Sequence, residues 1–589
     1  MSTAPNAPSR PDRPGLALPA PRWVQRGSAV APEVLEPLAR DLSLPPSICR
    51  LLALRGFADP AAARAFLRPR LDQLHDPYRL LDMRVAVERI LRAIDGGETI
   101  LVHGDYDVDG ICAAVLYTRV LRRLGARVEA FVPHRVADGY DLGAAGIRRA
   151  VELGATLVLT GDCGVVAHEA VAAAATAGID VVVTDHHTPE GELPAATALV
   201  NPHRPGDEYP EKTLCGTGVA FKVCQALAAA RGLEPEWLWY QLDLVALATV
   251  ADLVPLTGEN RVLVRYGLKV LRQSRNAGVR ALVRSAGLTQ HAGDLVAGHV
   301  SHILGPRINA AGRVGDAFDG VRLLLADDDI EAGRLAEGME ARNRERRDVD
   351  REMLAQALAL LEQDYDPARD WAVVLAAEGW HPGVIGIVAS RVVERIHRPT
   401  VLIALNGGPH ARGSARSIPG FHLFDALASC APLLVRFGGH RYAAGLDIAP
   451  ERIPELRAAM NARAHAMLTP EDLVPHLEID LELPLAEANA ELHRLLRHFG
   501  PFGAGNPAPL LAVRGARVIG RPRIVGEGHL KLELAQAGTR LPAIGFRMGD
   551  RLPALAGVDH VDVAFQLQEN TWNDRTVLQA RLLDVRRTR

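Results

Sequence analysis

With 589 residues, 48% of them hydrophobic and 23% charged, the chain is long enough to hold several cored domains and ordinary in composition for a globular protein. Its net charge of −3 excludes a uniformly basic surface, so a polyanionic partner would have to meet a local basic patch. Six cysteines without a C-x-x-C pair suggest neither a thiolate metal knuckle nor a disulfide framework, and no stretch approaches the roughly 20 apolar residues of a membrane span. The expected setting is the reducing cytoplasm, with no membrane partner.

Residues 1–22 are rich in Pro, Ala and Ser and lack an apolar h-region, which reads as a disordered lead rather than a signal peptide. Residues 23–78 read as short helices broken at Pro45-Pro46, with no assigned chemistry. A helix from Met83 to Ile94 leads into the β-branched run Thr99-Ile100-Leu101-Val102, a buried strand. His103-Gly104-Asp105-Tyr106-Asp107-Val108-Asp109-Gly110 follows, and a helix runs on to Gly125. Strand 127–132, helix 143–153, strand 156–160, helix 167–176 and strand 180–184 continue the rhythm of a parallel α/β sheet, in a domain covering 79–325. Asp162-Cys163-Gly164 and Asp185-His186-His187 stand at strand ends, and Trp237 to Val250 reads as one helix ending at Ala251-Asp252. Residues 256–325 are mostly helical and contain Gly305-Pro306-Arg307-Ile308-Asn309-Ala310-Ala311-Gly312-Arg313.

A connecting helix is expected from about Asp327 to Asp364, in a segment 326–366, with acids in its first turn and Asp366-Pro367 beyond its end. Its polar waist, Arg342 to Arg347, reads equally as a solvated face or a DNA-facing one. A second α/β domain spans 367–465 and carries His381-Pro382-Gly383-Val384-Ile385-Gly386, Gly413-Ser414-Ala415-Arg416-Ser417 and Gly438-Gly439-His440. Residues 466–589 change to short strands with Gly, Pro and Asn turns, the last hairpin turning at Trp572-Asn573-Asp574. An OB-fold barrel is the first candidate there. Its arginines Arg514, Arg517, Arg521 and Arg523 fit a groove that tracks a single strand, or a solvated edge strand.

Like charges crowded at strand ends are costly unless cations neutralise them, so the clusters read as a metal site in the crevice of a doubly wound sheet. Asp105-x-Asp107-x-Asp109-Gly110 also opens an EF-hand loop, but the twelfth position is Leu116 and a strand, not a helix, precedes it. A solvated acidic turn is the plainer alternative. Oxygen and imidazole ligands without thiolate favour Mn²⁺ or Mg²⁺, and the ligands are too many for one ion. Two ions can activate water for an in-line phosphoryl displacement. The expected arrangement has Asp162 bridging, His103 and Asp107 completing one site, and Asp109, His186 and Asp252 the other. Asp105 and His187 are expected to orient a ligand or protonate the leaving group. Arg307, Asn309 and Arg313, with Ser414, Arg416, His381 and His440, are candidate donors to phosphates, each cluster having a tight turn with a surface arginine as its plain reading.

His103-x-x-x-Asp107-x-Asp109, Asp162, Asp185-His186-His187 and Asp252 resemble the first four motifs of the DHH phosphoesterase superfamily. Gly438-Gly439-His440 resembles the signature of its DHHA1-type second domain, and the remaining motifs with the trailing barrel resemble the bacterial RecJ single-strand-specific exonucleases. The resemblance runs from about Phe57 to Val585. It implies Mn²⁺- or Mg²⁺-dependent 5′→3′ hydrolysis of single-stranded DNA to mononucleotides in recombination and repair, beside single-strand-binding protein and a helicase. It also implies a substrate role for the glycine-rich cluster containing Gly439. Two alternatives stand: a DHH-family phosphoesterase for short oligonucleotides or cyclic dinucleotides, and a non-catalytic DNA-binding scaffold. Deleting residues 470–589 is expected to separate the first of these from a polymer exonuclease.

Overall fold

The computed structural model describes residues 16, 18–27, 29–135, 137–189, 191–290, 294–572 and 575–588. The expected lead therefore falls largely outside the described residues, as do Asn573 and Asp574 of the last hairpin turn. The chain divides into two compact units, 25–343 with 479–589, and 344–478 with the first residues.

In the first unit, strands β1 (Thr99–Gly104), β2 (Arg127–Phe131), β3 (Leu157–Gly161), β4 (Asp180–Thr184) and β5 (Ala198–Val200) form a sheet in the order β2-β1-β3-β4-β5. All its pairings are parallel. Successive residues face opposite sides, so Ile100 and Val102 enter one apolar core and Leu101 enters another. Burial on both faces explains why the strands read as unbroken apolar runs. β1 lies between β2 and β3, where the connections diverge, and its carboxyl end is the crevice such sheets offer a ligand.

The expected helix from Trp237 to Val250 is two, Glu236–Trp239 and Leu242–Ala251, because the backbone tightens to ψ −12° at Tyr240 and −2° at Gln241. The Gly305 cluster is not a turn. It is a helix, Gly305–Val314, entered through a π turn at Val300–Leu304.

The N-terminal helices Pro32–Leu42, Pro46–Leu54 and Pro60–Leu67 share one apolar core with the C-terminal barrel, through Leu38, Leu51, Leu52 and Phe66 on one side and Phe499, Leu511 and Phe565 on the other. The barrel strands are β12 (Leu511–Val525), β13 (His529–Gln536), β14 (Thr539–Gly545), β15 (His560–Trp572) and β16 (Arg575–Arg587). They run β12-β13-β14-β16-β15 and close by pairing β12 with β15, as an OB fold does. The small strand β11 (Leu481–Glu482) flanks β12. Deleting 470–589 would thus strip the N-terminal helices of the apolar residues they pack against, so that deletion does not isolate substrate affinity as expected.

Arg261, 2% exposed, joins the parts of this unit. It donates to the carbonyls of Phe66 (2.9 Å), Phe499 (2.7 Å) and His498 (2.9 Å) and stacks 3.8 Å from the Phe66 ring. Arg261→Leu leaves three carbonyls without this donor and is expected to cost about 3 kcal/mol, at roughly 1 kcal/mol or more for each. A denaturant titration reads it as a lowered midpoint.

The second unit holds a five-stranded sheet of β6 (Val373–Glu378), β7 (Thr400–Leu405), β8 (Ala411–Arg416), β9 (Arg436–Gly439) and β10 (Ala443–Ile448), ordered β9-β10-β8-β7-β6. Only β6–β7 is parallel, so this sheet is mixed. The helix Asp329–Asp364 has 36 residues, about 54 Å at 1.5 Å per residue. Its waist is neither freely solvated nor turned wholly outward. Asn343 and Arg346 are buried, Arg342 pairs with Asp319, and Asp350 receives Arg346 and Arg391 at 3.7 and 3.1 Å.

Candidate metal centre

Register alone brings two clusters side by side. His103 pairs with Thr160 and Gly104 with Gly161, so the chain leaves β1 at Asp105 and β3 at Asp162 as neighbours. The β1 loop is tight enough to need its glycines: a Cβ on Gly110 would lie 2.2 Å from the Asp105 nitrogen. Asp107 caps the helix Val108–Arg123, its Oδ1 accepting from the amides of Asp109 (2.9 Å) and Gly110 (3.2 Å). Asp109 accepts from the amides of Gly216 and Thr217, both at 2.7 Å, at the start of the helix Gly216–Ala230. Asp162 takes a left-handed conformation, φ 68°, and only a glycine at 216 can pass its Cβ, which a side chain there would meet at 2.4 Å.

His186 gathers the set. Its Nε2 lies 3.0 Å from Asp162 Oδ1, 3.7 Å from Asp252 Oδ2 and 3.8 Å from Asp109 Oδ2. Three groups have ligand atoms all within 4.8 Å of one another: Asp105, Asp107 and Asp162; Asp109, His186 and Asp252; and Asp162, His186 and His187. Asp162 belongs to two of them. His103 joins none of the three; its Nδ1 stands 3.5 Å from Cys163 Sγ, and its Nε2 faces Gly146, where a Cβ would approach to 2.7 Å.

Nε2 of His103 and Oδ1 of Asp105 are buried without a hydrogen-bond partner, while Oδ1 of Asp162 and Nε2 of His186 have only each other, 3.0 Å apart. Buried polar atoms so poorly satisfied at the carboxyl ends of adjacent strands are what a site for divalent cations provides. Burial, and then repulsion from neighbouring carboxylates, pushes Asp105, Asp107 and Asp162 above the usual carboxylate range and Asp252 to about 9. Burial holds His103 at about 4 and lowers His186. Cys163 offers no thiolate, since burial drives its thiol well up. The donor set is oxygen and neutral imidazole, which suits Mn²⁺ or Mg²⁺.

Three groups to which the sequence reading gave no role, Asp185 and Tyr106 within its motifs and Tyr140 outside them, complete the centre. Asp185 accepts from the amides of His186 (2.7 Å), His187 (3.0 Å) and Val165 (3.0 Å) and bonds His187 Nδ1 at 2.8 Å, fixing both histidines. Tyr140 stands 3.2 Å from the His187 ring nitrogens. Tyr106 meets Tyr140 edge-on at 6.3 Å and carries the Arg135 guanidinium 4.8 Å over its ring. The signal for Tyr140 was Asp138-Gly139-Tyr140-Asp141 following the end of β2, a strand-end cluster like those already noted.

The candidate phosphate donors fall differently. Arg307 pairs with Glu340 at 2.6 Å and donates to the Ile303 carbonyl, partners that compete with any phosphate. Asn309 accepts from the Val108 amide at 3.2 Å, and Gly312 lets its helix pass the Tyr106 carbonyl, so this helix supports the metal loop. Arg313, on the same helix, is half-buried. In the second unit, Gly386 leaves room for Arg416 and Ser414, which its Cβ would meet at 2.8 and 2.9 Å. Arg416 donates to Ser414 Oγ at 3.1 Å. His381 accepts from the Gly383 amide (3.0 Å), and Gly439, φ 139°, turns the hairpin that carries the exposed His440. On the barrel, Arg514 is paired with Glu482 and Asp562, while Arg517, Arg521 and Arg523 are exposed.

Models of the DHH family N-terminal domain, the DHHA1 domain and the RecJ OB domain match residues 99–249, 370–466 and 479–584. The single-stranded-DNA-specific exonuclease RecJ of Dickeya dadantii is 38% identical, over 91% of this chain and 95% of its own length. The chain belongs to the RecJ family. RecJ of Bacillus subtilis is 36% identical over 96% of this chain and 70% of its length. Thermus thermophilus RecJ in complex with Mn²⁺ superposes with a TM-score of 0.82 at 33% identity, covering 96% of this chain and 80% of that one. RecJ of the same organism has also been solved with Mg²⁺. Among the described residues, no helix is long and apolar enough to cross a membrane.

Proposed function

We infer that this chain is a metal-dependent exonuclease that hydrolyses single-stranded DNA from the 5′ end to 5′-mononucleotides, in the DNA repair and recombination of the cytoplasm. The observation that carries the reading is the gathering of Asp105, Asp107, Asp109, Asp162, His186 and Asp252, with Nε2 of His103 and Oδ1 of Asp105 buried and unpartnered beside them, in a chain of the RecJ family.

Asp109, His186 and Asp252 would hold one ion and Asp107 another, with Asp162 shared; Nε2 of His103 and Oδ1 of Asp105 remain to complete the second. Bound there, two divalent ions neutralise the scissile phosphate and ease deprotonation of the attacking water. The chain's own part is orientation and proton delivery. Asp109 is fixed by two amides and Asp107 by its cap, so neither must reorganise as charge develops. Burial opposes charge on His187, but its hydrogen bond to Asp185 and that carboxylate's charge lift it to about 9. The metal-free ring is therefore cationic at neutral pH, and we assign it the proton that the 3′-oxygen takes as its bond to phosphorus breaks. The Tyr140 hydroxyl, 3.2 Å from both ring nitrogens, restrains the same ring.

His381, Ser414, Arg416, Gly439 and His440 supply a second anion site, with the start of the helix Ile385–Ile396 close beside Arg416. Arg416→Ala is expected to weaken single-strand binding and reduce the slope of log affinity against log salt by about 1, measured by anisotropy titration. An unchanged slope would exclude a phosphate contact there. Single-strand-binding protein and a helicase are the proposed partners, to be sought by co-elution with the full chain. Digestion of strands labelled at either end, with and without Mn²⁺ and with a duplex control, tests the reading. Label release from the 5′ end of the single strand alone is expected, and metal-independent or duplex cutting would refute it.

A further inference from the structure

We propose that Leu253 is a substrate contact, an apolar surface on which the sugar and base of the terminal nucleotide rest while its phosphate lies over the metal centre. The proposal rests on the exonuclease reading and adds a specificity-determining residue to it. Leu253 directly follows Asp252, whose carboxylate stands 3.7 Å from His186.

Eight described residues other than glycine have positive φ, and three of them, Asp141, Asp162 and Leu253, border this centre or follow its ligands. Asp141 is tied down by accepting from the Gly164 amide at 2.6 Å, and Asp162 is a proposed ligand. Leu253 has φ 61° and a side chain left in the open, with 67% of the residue exposed. A lone exposed leucine needs no account. A leucine in the left-handed region does, because the position just past a helix end is where glycine ordinarily spares the chain the Cβ clash.

The surrounding structure enforces that conformation. Asp252 closes the helix Leu242–Ala251 by donating to Ala248 (2.9 Å), and Leu256 donates to the Ala504 carbonyl (2.8 Å). Gly503 and Gly505 press against Leu256 and Pro255 so closely that a Cβ on either would come within 2.7 Å. Both ends of the stretch are thus pinned, and strain kept beside a reacting centre with the side chain exposed points to use of that side chain. Next to a scissile phosphate, the apolar surfaces a DNA strand offers are the deoxyribose face and the base. An unpaired terminal base is free to turn onto a hydrocarbon side chain, whereas a paired one is committed to its stack.

The test uses the full chain with Mn²⁺ and three variants, Leu253→Gly, Leu253→Asn and Leu253→Met. Glycine and asparagine accept the left-handed conformation but remove the hydrocarbon; methionine keeps it. The expected result is an unfolding midpoint at or above wild type for Leu253→Gly and Leu253→Asn, with KM for single-stranded DNA raised about tenfold in both. For Leu253→Met, KM stays within twofold. KM within twofold of wild type in the Gly and Asn variants would overturn the proposal and leave the exonuclease reading standing. Lowered unfolding midpoints in both, with activity falling in step, would overturn it in favour of a structural role. A wild-type chain that releases no mononucleotide would overturn both together.

Discussion

Asp162→Asn is expected to abolish hydrolysis, by about a thousandfold or more, while making the metal-free protein more stable. Asp162 belongs to two of the three ligand groups, as does His186, and is the carboxylate that links Asp105 and Asp107 to His186, so its loss is expected to disturb both proposed ions at once. Asparagine tolerates the left-handed backbone at this position, and the substitution retains the shape of the side chain. What it removes is a carboxylate that burial and the neighbouring Asp109 and Asp107 already disfavour in its charged form. Without metal that charge works against folding, so the apo melting temperature should rise by about 2 °C or more. The gain in melting temperature on adding Mn²⁺ should shrink, because ligand binding stabilises only in proportion to affinity. Thermal denaturation with and without Mn²⁺, beside single-turnover kinetics, reads all three. Residual activity within tenfold of wild type would exclude Asp162 as the bridging ligand.

Chelation should make the protein markedly sensitive to alkaline pH, and Mn²⁺ should remove that sensitivity. Asp252, lifted from an ordinary 3.8 to about 9, and the raised Asp105, Asp107 and Asp162 bind protons in the folded state that the unfolded chain has released. Wherever the folded state holds more protons, stability falls as pH rises. His187, raised from 6.5 to about 9, acts in the same direction: its contribution is present below 6.5 and lost as pH passes 9. His103 and His186, lowered by burial, oppose this only below 6.5. The window from pH 7 to 9 therefore isolates the descending limb. In chelator, melting temperature should drop across it; with saturating Mn²⁺ the carboxylates are held ionised and the profile should flatten. A flat profile in chelator would mean that these carboxyls are not crowded in solution as the structure has them.

The alternation of apolar runs with helical stretches between 99 and 200 was legible because burial on both faces leaves a continuous hydrophobic signal in each strand. The strand-end positions of Asp105, Asp162 and His186 followed from that alternation. The barrel was legible from its change of texture. Helix limits were less so, as the break at Tyr240-Gln241 and the helical state of Gly305–Val314 depend on packing rather than on local preference.

Sequence alone determined that carboxylates and imidazoles without thiolate would collect at the ends of parallel strands, because residue type and periodicity are local properties. Tertiary structure decided the rest, since each outcome depends on partners distant along the chain. Asp109 is aimed by amides 107 and 108 residues away, and Arg307 is engaged by Glu340 rather than left open. Residues 32–67, which carried no chemical signal, share their core with a barrel that begins more than 400 positions later, because apolar faces specify that they be covered but not by what.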